Sequence, residues 1–169
     1  MKTGFNPAFY NTTEISPQQE KRNREPHFLY LAYFEPKVIK VVISYAGRGL
    51  ARLYEQGARM AMVLEIFDSA NLARTYEAKI SALDGFCEAV NTSKKMNLLK
   101  LDFSKEEAEK ELKTALNKVK EELGVSFKQE ELVCPNDIFL EQNVSLSEAI
   151  NQCEDKLISG KFIGQIGTI

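Results

Sequence analysis

Five side chains in the N-terminal half of the chain carry chemistry and sit at spacings that let them meet: Tyr30, Lys40, Arg48, Arg52 and Glu77. A phenol, an ammonium, two guanidinium groups and a carboxylate suit the binding of an anion such as phosphate, which guanidinium meets with a rigid fork of donors. On an expected strand Tyr30 shares a face with Phe28 and Ala32, and on the next Lys40 shares a face with Val42 and Ser44. Alternation does not say which face is wet. Arg48 and Arg52 are one helical turn apart, so both can point along one side of a helix. Glu77 lies roughly 90° around its expected helix from the centre of the apolar stripe, where a carboxylate can reach a cleft without being fully buried.

Other chemistries are excluded by count. His27 is the single histidine, which rules out His-rich zinc sites and leaves Ser-His-Asp catalysis without a nucleophile-elbow context. The three cysteines, Cys87, Cys134 and Cys153, are 47 and 19 positions apart, neither a disulfide framework nor a metal knuckle. They are expected as buried free thiols. A net charge of -2 argues against wholesale coating of nucleic acid or of an anionic membrane, though not against a local basic groove. No apolar run is long enough for a membrane span and no signal-peptide pattern opens the chain, so a cytoplasmic protein is expected.

The elements that must position these residues follow from period and punctuation. With 169 residues, 44% hydrophobic and 27% charged, the chain reads as one globular domain that buries roughly 70% of its unfolded surface. Ser16-Pro17 with Glu20 behind it marks a short helix in an otherwise loop-like stretch 1–26, stopped by Pro26. Residues 27–34 (HFLYLAYF) and 38–44 (VIKVVIS) predict an antiparallel hairpin across Glu35-Pro36-Lys37. Residues 45–57 predict a helix with Leu50, Leu53 and Tyr54 inward and Gly57 as its stop, and 59–67 (RMAMVLEIF) a third strand. Asp68 or Ser69 then caps a helix to about Leu83, with Leu72, Tyr76, Ile80 and Leu83 as its stripe.

A capping box at Ser104 opens a five-turn helix closed by Gly124, with Ala108, Leu112, Ala115, Leu116, Val119 and Leu123 as its stripe; a second box at Ser145 opens a helix closed by Gly160. Residues 161–169 (KFIGQIGTI) predict the start of a further β element, as though the chain were truncated. The charges divide unevenly: residues 1–100 carry 14 Lys and Arg against 10 Asp and Glu, and residues 101–169 carry 8 against 14. The half with the candidate residues is the basic half, which is compatible with phosphate binding, though the excess is small beside that of a dedicated nucleic-acid binder.

The order strand, strand, arginine-bearing helix, strand, glutamate-bearing helix resembles the GIY-YIG nuclease superfamily. Phe28-Leu29-Tyr30 stands at its first tripeptide and Lys40-Val41-Val42 at its second, with Arg52 and Glu77 at the family arginine and glutamate. The string YLAYF, KVVIS, RLYEQGAR also resembles an uncharacterised bacterial family, domain of unknown function 2797, whose pattern includes K-V-G-I and E-Q-G-A. The resemblance implies an α/β (α+β) fold with a small, mainly antiparallel three-stranded sheet flanked by helices. It divides the chain into an N-terminal loop and short helix (1–26), a GIY-YIG-like core (27–100), an acidic helical extension (101–160) and the β element at 161–169.

It implies as well a nucleic-acid-processing domain that hydrolyses phosphodiesters with one Mg²⁺ on Glu77. Arg52 would steady the developing charge and Tyr30, its phenolate favoured by Lys40, would relay the proton of the attacking water, with Arg48, Arg59 and Lys37 contacting nucleic acid. The chain departs from the superfamily at Lys40, in place of the second tyrosine, and at Val42, in place of the following glycine. The upstream cysteine-rich stretch of the uncharacterised family is missing too. An inactive module that binds nucleic acid or a protein partner through the same cleft is therefore the alternative, nearly level with the first.

Plainer roles stand beside these. Tyr30 fits a core tyrosine with its hydroxyl at the edge. Arg48 and Arg52 fit a solvated helix face paired with Glu55 or Gln56, and Glu77 fits a partner for Arg74. His27 fits a strand-edge residue. The helix 104–123 fits a packed element, or a surface for a partner or for self-association, and the whole chain a purely structural module.

Overall fold

The computed structural model describes residues 16–87, 89–90 and 102–135. Branched and aromatic runs make the strands. β1 (His27–Glu35) and β2 (Val38–Tyr45) form the expected antiparallel hairpin, turning at Lys37 with φ 65°. β3 (Met60–Phe67) pairs antiparallel with the other side of β1, and a short β4 (Glu131–Val133) pairs with β3. The sheet thus has four strands in the order β2-β1-β3-β4, one more than the sequence predicts. Three residues are too few for a period of two to stand out from a loop.

Among the described residues four helices accompany the sheet: α1 (Pro17–Asn23), α2 (Ala51–Gln56), α3 (Ala70–Ser81) and α4 (Lys105–Leu123). Their ends are chemically marked. The Ser16 hydroxyl accepts from the Gln19 N–H at 3.2 Å and the Ser104 hydroxyl from the Glu107 N–H at 3.1 Å, while Gly57 and Gly124 end α2 and α4 in the left-handed conformation.

Alternation along β1 divides the interior in two. Leu29, Leu31 and Tyr33 face a core that Ile39, Val41, Met60, Met62 and Leu64 continue across the sheet. Ile80 of α3 and Ala108, Leu112, Leu116 and Val119 of α4 cover it, and Tyr76 stacks on Phe67 at 4.9 Å. Tyr30, Ala32 and Phe34 face the opposite way, with Val42, Ala61 and Val63, under Leu53 of α2. A bulge between Leu29 and Tyr30 in the β1–β3 ladder keeps both patterns in step.

Two expectations change. The helix foreseen over 45–57 is a 3-10 turn, Ala46–Arg48, followed by the shorter α2, because Gly49 takes φ 52° between them and the Tyr45 ring closes so tightly on Gly47 that a Cβ there would lie 2.5 Å from it. The stripe of α3 is rotated: Ala70, Ala73 and Ile80 are buried while Leu72 is 47% exposed, since the two alanines let the helix approach the sheet closely. The apolar stripe of α4 lies in the sheet's own core, as the packed-element reading of that helix expects. The helix expected from Ser145 and the β element at 161–169 lie outside the described residues.

Candidate functional site

Tyr30 occupies the middle strand on the α2 side, opposite Val42 of β2 and Val63 of β3. It is 2% exposed, and its hydroxyl has no hydrogen-bond partner. A buried hydroxyl left unpaired costs about 1–3 kcal/mol. Burial pushes the phenol well above its usual value of 10; Arg52 is the strongest charge opposing that rise, and Glu77 and Glu55 add to it. The side chain is therefore a neutral donor whose hydroxyl lies in the field of Arg52, Glu77, Glu55 and Arg48. Ser44, two residues along β2 from Val42, is its diagonal neighbour on the same face, 6% exposed and likewise unpaired at its hydroxyl.

The cations arrive from the chain that follows β2. Arg48 ends the 3-10 turn and Arg52 lies in the first turn of α2, and both meet Glu55: Arg48 Nη2 bonds one carboxylate oxygen and Arg52 Nη1 lies 3.5 Å from the other. With its amide oxygen turned toward Arg52, the buried Gln56 accepts from Arg52 Nε at 3.1 Å and Nη2 at 2.9 Å. These are the Glu55 and Gln56 pairings of the plainer reading. They also leave one carboxylate held between two guanidinium groups.

Glu77 reaches the outer edge of β2, where the Ile43 N–H donates to its carboxylate. Burial raises its pKa, opposed first by Lys40, then by the Ile43 bond and by Arg74. The rotation of α3 explains this half-buried place. Lys40, expected to favour a Tyr30 phenolate, acts on Glu77; the cation that lowers Tyr30 most is Arg52.

The Mg²⁺ implied by the resemblance finds a poor donor set. The Glu77 carboxylate is engaged by a backbone N–H and faces Lys40 and Arg74, two charges that repel a dication, and the described residues hold no cluster of three or more metal-ligating side chains.

The remaining expected contacts lie elsewhere. Lys37 is exposed at the hairpin turn, at the opposite end of β2 from Arg48, with its N–H donating to Glu111 at 2.9 Å. Arg59, expected on a nucleic-acid surface, is 7% exposed: it donates to the Asp102 carbonyl at 3.3 Å and lies 4.8 Å over the Phe103 ring. Arginine carries its own apolar stem, which suits it to such packing. His27 is buried too, with Nδ1 2.9 Å from the Glu25 carbonyl, rather than at a strand edge. Ser44 is the residue that sequence reasoning missed as a candidate; its place on the face of Lys40 and Val42 was the available signal.

The family profile that matches is that of DUF2797, a protein family of unknown function, over residues 9–168. The chain belongs to the DUF2797 family. No curated protein and no solved structure matches it. The fold of this DUF2797 protein is α+β, a four-stranded antiparallel sheet with flanking helices. No helix among the described residues is long and apolar enough to cross a membrane.

Proposed function

We propose that this chain is a nucleic-acid-binding module of GIY-YIG-like design whose hydrolytic chemistry is silent. The observation that carries this reading is Tyr30. A phenol buried to 2% exposure and pushed upward in pKa makes a poor proton acceptor but a good neutral donor to a phosphate oxygen. Arg48 and Arg52 supply the charge beside it, and the basic balance of residues 1–100 adds a weak field of the same sign. The element order and the positions of Tyr30, Arg52 and Glu77 support the likeness of design. Lys40 and Arg74 beside Glu77 weigh against a metal-dependent reaction.

The test is to titrate labelled single-stranded, duplex and branched DNA and RNA with the protein across a salt series, with Mg²⁺ and Mn²⁺ present. Binding that weakens as salt rises, falls in Arg52→Ala and leaves the nucleic acid intact is the expected result. Cleavage abolished by Glu77→Ala would replace this reading with the hydrolytic one. Absence of binding to every nucleic acid would overturn both.

A further inference from the structure

Two buried hydroxyls with nothing to bond are an unusual thing for one sheet face to keep, because phenylalanine and alanine would fill the same places without stranding a polar group. Both point to a ligand atom that the described chain does not supply. We propose that Tyr30 and Ser44 donate to the oxygens of one phosphate group, charged against Arg48 and Arg52, and that this subsite takes a terminal phosphate, a phosphomonoester, in preference to a phosphodiester within a strand.

Three features carry the choice. Tyr30 and Ser44 are diagonal neighbours across the β1–β2 ladder, on the face that α2 covers, so two unpaired donors rise from adjoining positions of one sheet. Their hydroxyls lie below the surface. A terminal phosphate, esterified on one side only, can turn its free oxygens inward, whereas an internal diester is flanked by a sugar on either side. Finally, Arg48 and Arg52 already share the carboxylate of Glu55. An internal phosphate brings about one negative charge, no more than Glu55 offers, while a monoester brings about -1.5 to -2 near neutral pH. Only the latter outbids the resident carboxylate for the two arginines.

This inference rests on the nucleic-acid-binding reading above and names the part of the ligand the site holds. The test uses the full chain and one short oligonucleotide sequence in three forms, with a 5′-phosphate, with a 3′-phosphate and with neither, measured by fluorescence anisotropy, with inorganic phosphate as competitor. At least one phosphorylated end is expected to bind about tenfold tighter than the unphosphorylated form, and inorganic phosphate to remove that advantage. Tyr30→Phe and Ser44→Ala should each shrink the advantage to about threefold or less while melting at or above the wild-type temperature, since each deletes an unpaired buried group. Glu55→Gln should raise the affinity for the unphosphorylated form and so narrow the preference.

Equal binding of all three forms would overturn the subsite and leave the nucleic-acid module standing. Inorganic phosphate bound through Tyr30 and Ser44, with no oligonucleotide bound in any form, would keep the subsite and overturn the module. Variants that melt below wild type and keep the preference would show that the two hydroxyls serve the fold alone, and would also overturn the subsite.

Discussion

On one side of the sheet Leu29, Leu31 and Tyr33 meet the 12 residues of α3 and the 19 of α4; on the other, Tyr30, Ala32 and Phe34 meet the six of α2. The first side closes by area. Aliphatic stripes run the length of α4, an aromatic pair joins Phe67 to Tyr76, and Phe127 meets the edge of the Tyr76 ring at 6.1 Å. Among the described residues the second side is covered by a helix too short to hold itself, packed through Leu53, and by Cys87 and Val90, and it leaves the Tyr30 and Ser44 hydroxyls unpaired. One sheet therefore carries a face built for stability and a face that gives some stability up. The proposed phosphate ligand would account for a face of the second kind.

The largest expected effect tests the stable face. Leu112→Ala removes a fully buried side chain of α4 and should cost about 2–5 kcal/mol in a denaturant titration. A loss below about 1 kcal/mol would mean that α4 is an appendage rather than part of the core, and the contrast between the faces would collapse.

How much of this contrast could be read in the sequence depends on the length of each element. The five strong turns of α4, its Ser104 cap and its Gly124 stop are all plain in the residues, because a long periodic segment repeats its signal. What period alone does not show is which surface the stripe meets, so the same leucines read equally well as a partner surface. α2 and β4 are short, and short elements are set by what surrounds them: Gly49 splits the helix expected over 45–57, and β4 exists through its ladder with β3. At the site, Tyr30, Arg52 and Glu77 were visible as types and spacings. Their environment was not, since burial turned Tyr30 from an expected base into a donor, and the alanines of α3 set Glu77 against β2.

A pH series sharpens the comparison at the rim, where the charged groups of α3 meet the strands. Burial raises the pKa of Glu77 in the fold, so the folded state holds its proton more tightly than the unfolded chain. Its contribution to stability is present below the unfolded value of about 4.5 and is lost as pH rises through the higher folded value. His27 runs the other way. Burial, with Arg74 adding to it, lowers its pKa against the raising effect of the Glu25 carbonyl and carboxylate, so the neutral ring is favoured and stability falls as pH drops below about 6.5. Thermal melts across this range should lose the alkaline-side decline in Glu77→Gln and the acid-side decline in His27→Asn. A Glu77→Gln profile parallel to wild type would mean that the carboxylate titrates as it does in the unfolded chain.

The smallest effect expected is at the lid of the polar face. The side chains of Arg48, Arg52 and Glu55 are 45%, 42% and 44% exposed, so water screens their pairing. A double-mutant cycle on Arg48→Ala and Glu55→Ala should return a coupling of about 0.2–1 kcal/mol in the free protein. That weakness is what the proposed phosphate subsite needs, because a carboxylate held tightly by two arginines would keep a phosphate out. Repeating the cycle with a saturating phosphorylated oligonucleotide should reduce the coupling toward zero, as the ligand takes the place of Glu55. A coupling well above 1 kcal/mol that persists with ligand bound would make the bridge a structural clasp, and the two faces of the sheet would then differ in size but not in purpose.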